Sequence, residues 1–422
     1  MLTPEDNELL TRVGPGAPMG NVLRRFWLPF ALAQELPGPD CDPIRVRLLG
    51  EDLVAFRDSS GRPGLVAANC PHRGASLFFG RNEENGLRCV YHGWKFDVSG
   101  QCVDMPNEPA ESNFKNKVRA RAYPCVDRGG VIWTYLGPEG SQMDLPELEW
   151  THVADNQRYV SKRIQFCNYL QNVEGEVDSS HVSFLHSRAV TSGNEPASAK
   201  GSLSAYMASS KAPRFFVNPT EYGLLIGARR EAGDEGYYWR ITQFLMPSYT
   251  MIPAGLGDAI SFTAAVPRDD VSMMGFTVTW HPDRPLTPEE VAGIESWTGV
   301  HTEVDPKTFT PLRNIDNEYL LDRAFQRNGS YTGIRGIREE DLAVQEGMGP
   351  IFDRSGEHLG SADLAVIAMR KRLLDAVAAL ENGQVPYEAQ HPNAYHVRSA
   401  VLVLPAEIDW QQGSAEAVKA RV

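Results

Sequence analysis

Two cysteine–histidine pairs lie close together near the start of the chain. Cys70 and His72 are separated by one residue and Cys89 and His92 by two, within the stretch CPHRGASLFFGRNEENGLRCVYHGW. Thiolates and imidazoles are the ligands that soft and borderline transition metals prefer. The four side chains therefore predict a metal site near the start of the chain.

Two kinds of site use two cysteines and two histidines: a tetrahedral structural zinc, and a Rieske [2Fe–2S] centre. Zinc fingers generally pair like ligands and place the histidines on a helix, whereas here each pair is mixed and its neighbours are loop residues such as Gly74. In a two-iron cluster, Cys70 and Cys89 would hold one iron, and His72 and His92 the other. The spacing favours the cluster but leaves zinc open.

A second set of possible ligands lies in NYLQNVEGEVDSSHVSFLHS, where Asp178, His181 and His186 fall within nine positions. Two histidines and a carboxylate can hold a non-haem iron and leave positions open for O2 and substrate. On a regular helix, at ~100° per residue, His181 and His186 would lie about 140° apart. A shared metal therefore requires the helix to kink, to form a π-bulge or to end between them. The alternative is two ordinary polar histidines on a half-buried helix.

The elements around these residues change in character along the chain. Residues 6–38 predict a leading helix and a Gly/Pro-rich turn; short strand-like runs bounded by turn residues follow from Ile44 to about Gly137, and both cysteine–histidine pairs lie at their tips. The second half mixes longer strands with helices, including one that begins at Thr287-Pro288 and one that ends at Asn382-Gly383. With 422 residues, we expect two domains.

Composition narrows the class of protein further. Apolar residues make up 42% of the chain, and the net charge of −13 argues against a nucleic-acid or anionic-membrane surface. No apolar run is long enough to span a membrane, and the acidic start lacks the features of a secretory signal, so we expect a cytoplasmic protein. The four cysteines without histidine companions are expected to be reduced and buried: Cys41, Cys102, Cys125 and Cys167.

CPHRGA followed by CVYHGWKFD resembles the Rieske signature of bacterial ring-hydroxylating oxygenases, and E-x3-D-x2-H-x4-H resembles the mononuclear-iron motif of their phthalate-dioxygenase-like branch. The resemblance implies a [2Fe–2S] cluster on the four residues above and a mononuclear Fe(II) on His181 and His186. Asp178 would not be a ligand; it would link His181 to a Rieske histidine of a neighbouring subunit. The third iron ligand would come from a late helix, where Asp341 is expected. The first alternative is Asp316, and the others are Asp305, Asp322 and Asp353. Asp322 and Asp353 are expected to pair with cations instead.

The resemblance also implies a fold and a function. The fold class would be α+β: a small antiparallel β Rieske domain (41–150) inserted in a larger catalytic domain (151–422) with a mainly antiparallel sheet and surrounding helices, on which residues 1–40 pack. The function would be the terminal oxygenase of a multicomponent system, a homotrimer or multiple of trimers. A reductase with flavin and a [2Fe–2S] cluster would supply electrons from NAD(P)H. The substrate would be an aromatic carboxylate, ring-hydroxylated or dihydroxylated; the alternatives are O-demethylation of a methoxylated acid, and a Rieske electron carrier without oxygenase activity.

A substrate carboxylate in a partly dry pocket would be held by arginine, and residues of about 200 to 250 are expected to line that pocket. Arg229 and Arg230 are consecutive strand residues, so only one can face inward. The cations of this segment are Lys200, Lys211, Arg214, Arg229, Arg230 and Arg240. The substrate candidates are Tyr206, Met207, Arg214, Arg229 and Arg230.

Overall fold

The structure, a computed structural model, describes residues 1–109, 111–187, 206, 210–253 and 259–421. Met207, one of the substrate candidates, lies outside the described residues. Within these ranges no helix combines the length and the apolar composition needed to cross a membrane.

The helices of the described part are short except for Leu364–Glu381, which has 18 residues. They are α1 (Pro4–Thr11), α2 (Pro18–Leu23), α3 (Tyr169–Val177), α4 (Pro288–Glu295), α5 (Arg323–Asn328), α6 (Ile337–Gly347), α7 (Leu364–Glu381) and α8 (Trp410–Ser414). The strands are β1 (Trp27–Leu32), β2 (Ile44–Leu48), β3 (Glu51–Arg57), β4 (Pro63–Ala67), β5 (Arg81–Glu83), β6 (Gly86–Arg88), β7 (Lys95–Phe96), β8 (Cys102–Asp104), β9 (Ala122–Tyr123), β10 (Cys125–Arg128), β11 (Val131–Tyr135), β12 (Arg158–Gln165), β13 (Arg214–Pro219), β14 (Gly223–Glu231), β15 (Tyr237–Leu245), β16 (Tyr249–Ile252), β17 (Ile260–Asp269), β18 (Ser272–Trp280) and β19 (Ala400–Leu404).

The first third of the chain forms small antiparallel sheets. Strands β2-β3-β4-β9 form one four-stranded sheet, β5-β6-β7-β8 form a second, and β1-β11-β10 form a three-stranded sheet. Buried residues of the first two sheets, together with Cys70 and Cys89, form a core cluster of their own. This separate core gives the two cysteine–histidine loops a stiff base.

The second part is built on one large antiparallel sheet in the order β12-β18-β17-β16-β15-β14-β13, and β19 pairs with the first half of β15. Helix α3 packs against β16 and β17, and α7 packs against β13. The leading helices α1 and α2 also contact α7, so the start of the chain shares the core of this part. The predicted α+β class, a small antiparallel unit beside a larger sheet with helices, is confirmed.

Two predicted elements differ in detail. The leading helix is two helices, because the Gly14-Pro15-Gly16 turn, in which Gly16 has a φ of +84°, stops α1 from continuing. The run from Tyr237 to Pro253 is two strands separated by the cis Met246–Pro247 bond.

One buried histidine makes the stability of this fold sensitive to acid. The ring of His301 lies between the hydroxyl groups of Ser161 and Thr279, at 2.7 and 2.9 Å. Burial, together with the charges of Arg338 and Arg163, lowers its pKa to about 3. In the unfolded chain a histidine has a pKa of about 6.5. Between pH 6.5 and pH 3, His301 therefore binds a proton in the unfolded state but not in the folded state.

The contribution of His301 to stability is complete above pH 6.5 and is lost as the pH falls toward 3. By pH 5.5 we expect this group to lower the free energy of unfolding by about 1.4 kcal/mol relative to pH 7.5. Urea unfolding at both pH values, followed by tryptophan fluorescence, measures this difference. His301→Gln should reduce it by that amount, whereas His391→Gln, at an exposed position, should leave it unchanged. An equal pH dependence in wild type and His301→Gln would contradict the assignment.

Candidate metal centres

The two cysteine–histidine loops share one backbone geometry. The N–H of Gly74 donates to the carbonyl oxygen of Cys70 at 2.9 Å, and the N–H of Gly93 donates to that of Cys89 at 3.0 Å. Both glycines have positive φ, +75° and +80°, a conformation that side chains rarely adopt. Each loop therefore presents its cysteine in the same way to the space between them.

The donor set in these loops fits a two-iron cluster better than a zinc ion. The Cys70 and Cys89 thiols are buried against each other, and burial, with the neighbouring thiol, raises the pKa of Cys70 to about 11. The rings of His72 and His92 are half-buried with centroids 4.5 Å apart. Four ligands of one zinc would lie within about 4 Å of each other. Although all four residues belong to the described part, no three of their donors gather within 4.8 Å, so the pairs are held apart as a cluster between them requires.

The second site begins where helix α3 stops. Its last residue is Val177, and Asp178 turns away from helical geometry while its Oδ1 accepts the N–H and hydroxyl of Ser180, both at 2.6 Å. Such local bonds compete with helix continuation. His181 starts a 3₁₀ turn, His181–Ser183, and His186 follows it. The helix thus ends before His181 rather than between the two histidines, and the irregular segment turns both rings to one side.

His181, His186 and Asp341 converge on one point. The Nε2 atoms of the two histidines are 3.2 Å apart, and Oδ1 of Asp341 lies 3.2 Å from His186 Nε2 and 3.7 Å from His181 Nε2. Ligands about 2.1 Å from one metal and roughly at right angles are about 3 Å apart, so the three donors fit one face of a mononuclear metal.

Charged groups behind the three donors hold them in place. Oε2 of Glu340 accepts from Nδ1 of His186 at 2.8 Å, and Oδ2 of Asp178 lies 3.5 Å from Nδ1 of His181. Burial opposes protonation of His186, but the bonds to Asp341 and Glu340 outweigh it and raise its pKa to about 9. Burial likewise opposes ionisation of Asp341, but His186 and other cations outweigh it and lower its pKa to about 2. Since a metal ligand must be deprotonated, a cation bound by these donors would compete with a proton for His186.

Comparisons with known proteins identify the family. Residues 26–124 match the family model described as Rieske [2Fe-2S] domain, and residues 134–422 match the model described as LigXa C-terminal domain like. The chain is 40% identical to the phthalate 4,5-dioxygenase oxygenase subunit of Pseudomonas putida, over 99% of this chain and 96% of that protein. The chain belongs to the Rieske non-haem iron oxygenases.

Other relatives widen the range of chemistry within the family. The 5,5'-dehydrodivanillate O-demethylase oxygenase subunit of a Sphingobium species is 32% identical over 92% of this chain and 83% of that protein. The NdmA QL mutant with theobromine, from Pseudomonas putida CBB5, superposes with a TM-score of 0.60 at 19% identity, over 93% of this chain and 99% of that one, a likeness of fold. This Rieske oxygenase subunit is thus an oxidoreductase, and the oxygenase subunits of its family carry a [2Fe–2S] cluster and a mononuclear iron. Subunits of this kind need a reductase or ferredoxin partner. The predicted family, enzyme class and cofactors are confirmed.

The other aspartates considered for the third iron position serve elsewhere in the oxygenase. Asp316 is exposed on a 3₁₀ turn, and Asp305 accepts the N–H groups of a tight turn at Lys307. Asp322 and Asp353 cap the helices that follow them by accepting backbone N–H groups, whereas the sequence predicts that they pair with cations. A carboxylate in front of a helix has free N–H groups within reach, and these outcompete the neighbouring guanidinium.

The substrate candidates fall on both faces of the large sheet. Arg230 opposes Tyr238 in register and shares a face with Arg240, whereas Arg229 opposes Trp239 on the other face. Arg214 is paired with Arg229, and both guanidinium groups lie over the ring of Phe216. The structure therefore brings Arg230 to the side of the sheet that carries the mononuclear site, and places Arg214 and Arg229 away from it.

Tyr206 also lies on the inner side, but it packs on another tyrosine. Its ring stacks on Tyr238 with centroids 5.5 Å apart, and its hydroxyl donates to Glu235. Sequence reasoning did not single out Arg240, which shares the inner face with Arg230, or Glu340, which contacts His186. Arg240 was only one of six cations in its segment, and Glu340 precedes the expected ligand Asp341, a juxtaposition that could have drawn notice.

Proposed function

We propose that this oxygenase subunit uses O2 and reductase-supplied electrons to oxidise an aromatic carboxylate. The observation that carries the substrate class is a pair of buried arginines, Arg230 and Arg240, that meet at Ser179, the residue next to Asp178. Nη1 of Arg240 donates to the hydroxyl of Ser179 at 3.1 Å, and Nη2 of Arg230 donates to its carbonyl oxygen at 3.0 Å.

Among the described residues, the carboxylates that act on the charges of these arginines, Asp178 and Glu176, form their own ion pairs with His181 and Arg338. Nη1 of Arg230 has no hydrogen-bond partner there. Burial and the mutual repulsion of the two cations lower the pKa of Arg230 to about 10. Burial also lowers the pKa of Arg240. Buried unpaired charges are costly, and a substrate carboxylate would compensate them with charge-assisted hydrogen bonds. An aromatic acid held there would direct its ring toward the histidines that follow Ser179.

In this proposal Cys70, His72, Cys89 and His92 hold the cluster, and His181, His186 and Asp341 hold the iron. When bound, the cluster supplies single electrons and the iron supplies O2 activation. The chain itself sets the ligand geometry, orients the substrate through the arginines and keeps the site partly dry. The same proposal divides the chain into residues 1–40, 41–150 and 151–422.

We further propose that Asp178 bridges His181 to a Rieske histidine of a neighbouring subunit in a homotrimer or a multiple of trimers. Asp178 and His181 line a cleft of about 240 Å3, and exposed Val344 and Met348 lie along it. The Rieske loop presents exposed Val90 and Tyr91 beside His92. The apolar tip of one subunit therefore suits the cleft of the next.

The reaction itself has two candidate forms. The name of the phthalate relative describes dioxygenation of an aromatic acid and that of the dehydrodivanillate relative describes O-demethylation, and both kinds of substrate carry a carboxylate that the arginine pair would bind. We propose ring hydroxylation or dihydroxylation first. Formaldehyde release from methoxylated acids would favour demethylation instead. The electron donor would be an NAD(P)H-dependent reductase with flavin and [2Fe–2S], and the oxygenase subunit would be cytoplasmic.

Replacing Arg240 tests the substrate class. For the aromatic acid that supports the fastest O2 uptake, Arg240→Met should raise KM about 10- to 100-fold, because a charge-assisted hydrogen bond contributes about 1.5–3 kcal/mol. The neutral amide of that acid should show little change. Arg229→Met, the same substitution on the other face, is the control and should leave KM unaltered. An unchanged KM in Arg240→Met, or equal losses for acid and amide, would contradict carboxylate recognition here.

A further inference from the structure

A fully buried carboxylate stands directly behind His186. Glu340 has no exposed surface. Its Oε2 accepts from Nδ1 of His186 at 2.8 Å, while its Oε1 accepts from the hydroxyl of Thr332 at 2.6 Å. Both carboxylate oxygens are thus engaged, and the hydroxyl fixes the orientation of the group that the imidazole meets.

Helix α6 contacts both ring nitrogens of His186. Glu340 and Asp341 are consecutive residues of α6, and consecutive helix positions point about 100° apart. Glu340 reaches Nδ1 of His186, and Asp341 Oδ1 lies 3.2 Å from its Nε2. The ring is therefore located by a single turn of helix, although His186 itself lies in an irregular segment.

The two histidines of the site are held differently. Asp178 lies 3.5 Å from Nδ1 of His181, its side chain is 20% exposed, and its other oxygen is occupied by Ser180. Glu340 is closer to its histidine and excluded from solvent. A second tie, from the N–H of Tyr331 to the carbonyl oxygen of Ser187 at 3.0 Å, joins the segment of Thr332 to that of His186.

We propose that Glu340 is a positioning residue of the mononuclear metal site, one that fixes His186 as the anchored ligand and strengthens it as a donor. By accepting from Nδ1 it sets the tautomer in which Nε2 carries the lone pair that faces the metal. Its buried negative charge makes the imidazole a stronger donor toward a cation. His181, with the looser carboxylate, is the ligand free to adjust. This inference rests on the proposed iron site.

The test compares Fe(II) binding in Glu340→Gln and in Glu339→Gln. A glutamine at position 340 can still accept from Nδ1 and can donate to Thr332, but it lacks the charge. We expect the Fe(II) dissociation constant, from anaerobic competition with a chelator, to rise about 10- to 100-fold. Glu339 is an equally buried neighbour on the same helix that contacts neither histidine, and its variant should bind Fe(II) as wild type does.

Co(II) absorption gives a readout that a purely structural role would not move. At saturating Co(II), the visible bands should shift in Glu340→Gln and stay in place in Glu339→Gln, with the Rieske cluster spectrum intact in both. Thr332→Val leaves the charge of Glu340 but removes the hydroxyl that donates to Oε1, so it should weaken Fe(II) binding in the same direction and by less. This variant provides the test if Glu340→Gln does not fold. Affinity within threefold of wild type and unshifted bands in Glu340→Gln, or unchanged affinity in Thr332→Val where it alone folds, would overturn the inference. Wild-type protein that takes up no Fe(II) at this site would instead refute the proposed function.

Discussion

Replacing Asp178 by asparagine is expected to lower turnover at least about 100-fold while both metals stay bound. The asparagine would retain the size of the side chain but not the charge that we propose links His181 to the neighbouring subunit. The Oδ1 bonds to Ser180 can be kept by the amide oxygen, so the turn after α3 should survive. Iron content per chain, KM and kcat, and the rate at which reduced cluster is reoxidised in the presence of substrate and O2 measure the effect.

The loss should appear in kcat and in cluster reoxidation, with KM nearly unchanged. Asp363→Asn removes a charge from the same cleft without touching a histidine, and it should behave as wild type. A fall in iron content in Asp178→Asn would make Asp178 a ligand, and full activity would remove it from the electron path.

Asp341→Ala should remove the mononuclear iron and leave the cluster in place. Two histidines without a carboxylate do not complete the metal-binding face, and oxygenase activity is expected to fall at least about 1,000-fold. The buried Arg338 keeps its ion pair with Glu176 in this variant, so the surrounding core should not be left with an unpaired charge. Metal analysis should find one iron fewer per chain with unchanged acid-labile sulfide.

Asp316→Ala is the matched control, because Asp316 was the first alternative from the sequence and is exposed. It should bind the full complement of iron. Loss of the mononuclear iron from Asp316→Ala, with retention in Asp341→Ala, would show that Asp316 and not Asp341 is the third iron ligand.

The sequence predicted best those features that are local. The two cysteine–histidine loops are close in the chain, and their glycines at fixed offsets mark the turns that present the ligands. The end of α3 is harder to place: the sequence predicts a kink, a π-bulge or a helix end between His181 and His186, but the bonds from Ser180 to Asp178 accompany an earlier end at Val177.

Features that depend on the tertiary fold could not be predicted from the spacing of residues in the sequence. Alternation along β14 shows that Arg229 and Arg230 face opposite sides, but which side carries the site depends on how the sheet packs against the segment after α3. Asp341 was chosen by resemblance, since five downstream aspartates were equivalent by spacing. The role of Glu340 needs the distance to His186, which only the folded chain defines.

The central claim is that one chain carries both a Rieske cluster and a mononuclear iron site. The most direct test is the iron and acid-labile sulfide content of anaerobically purified protein, with the spectrum of the dithionite-reduced cluster. We expect about three irons and two sulfides per chain and a Rieske-type signal. Two irons and two sulfides, with no further iron taken up after Fe(II) is added, would show that His181, His186 and Asp341 do not form the second site.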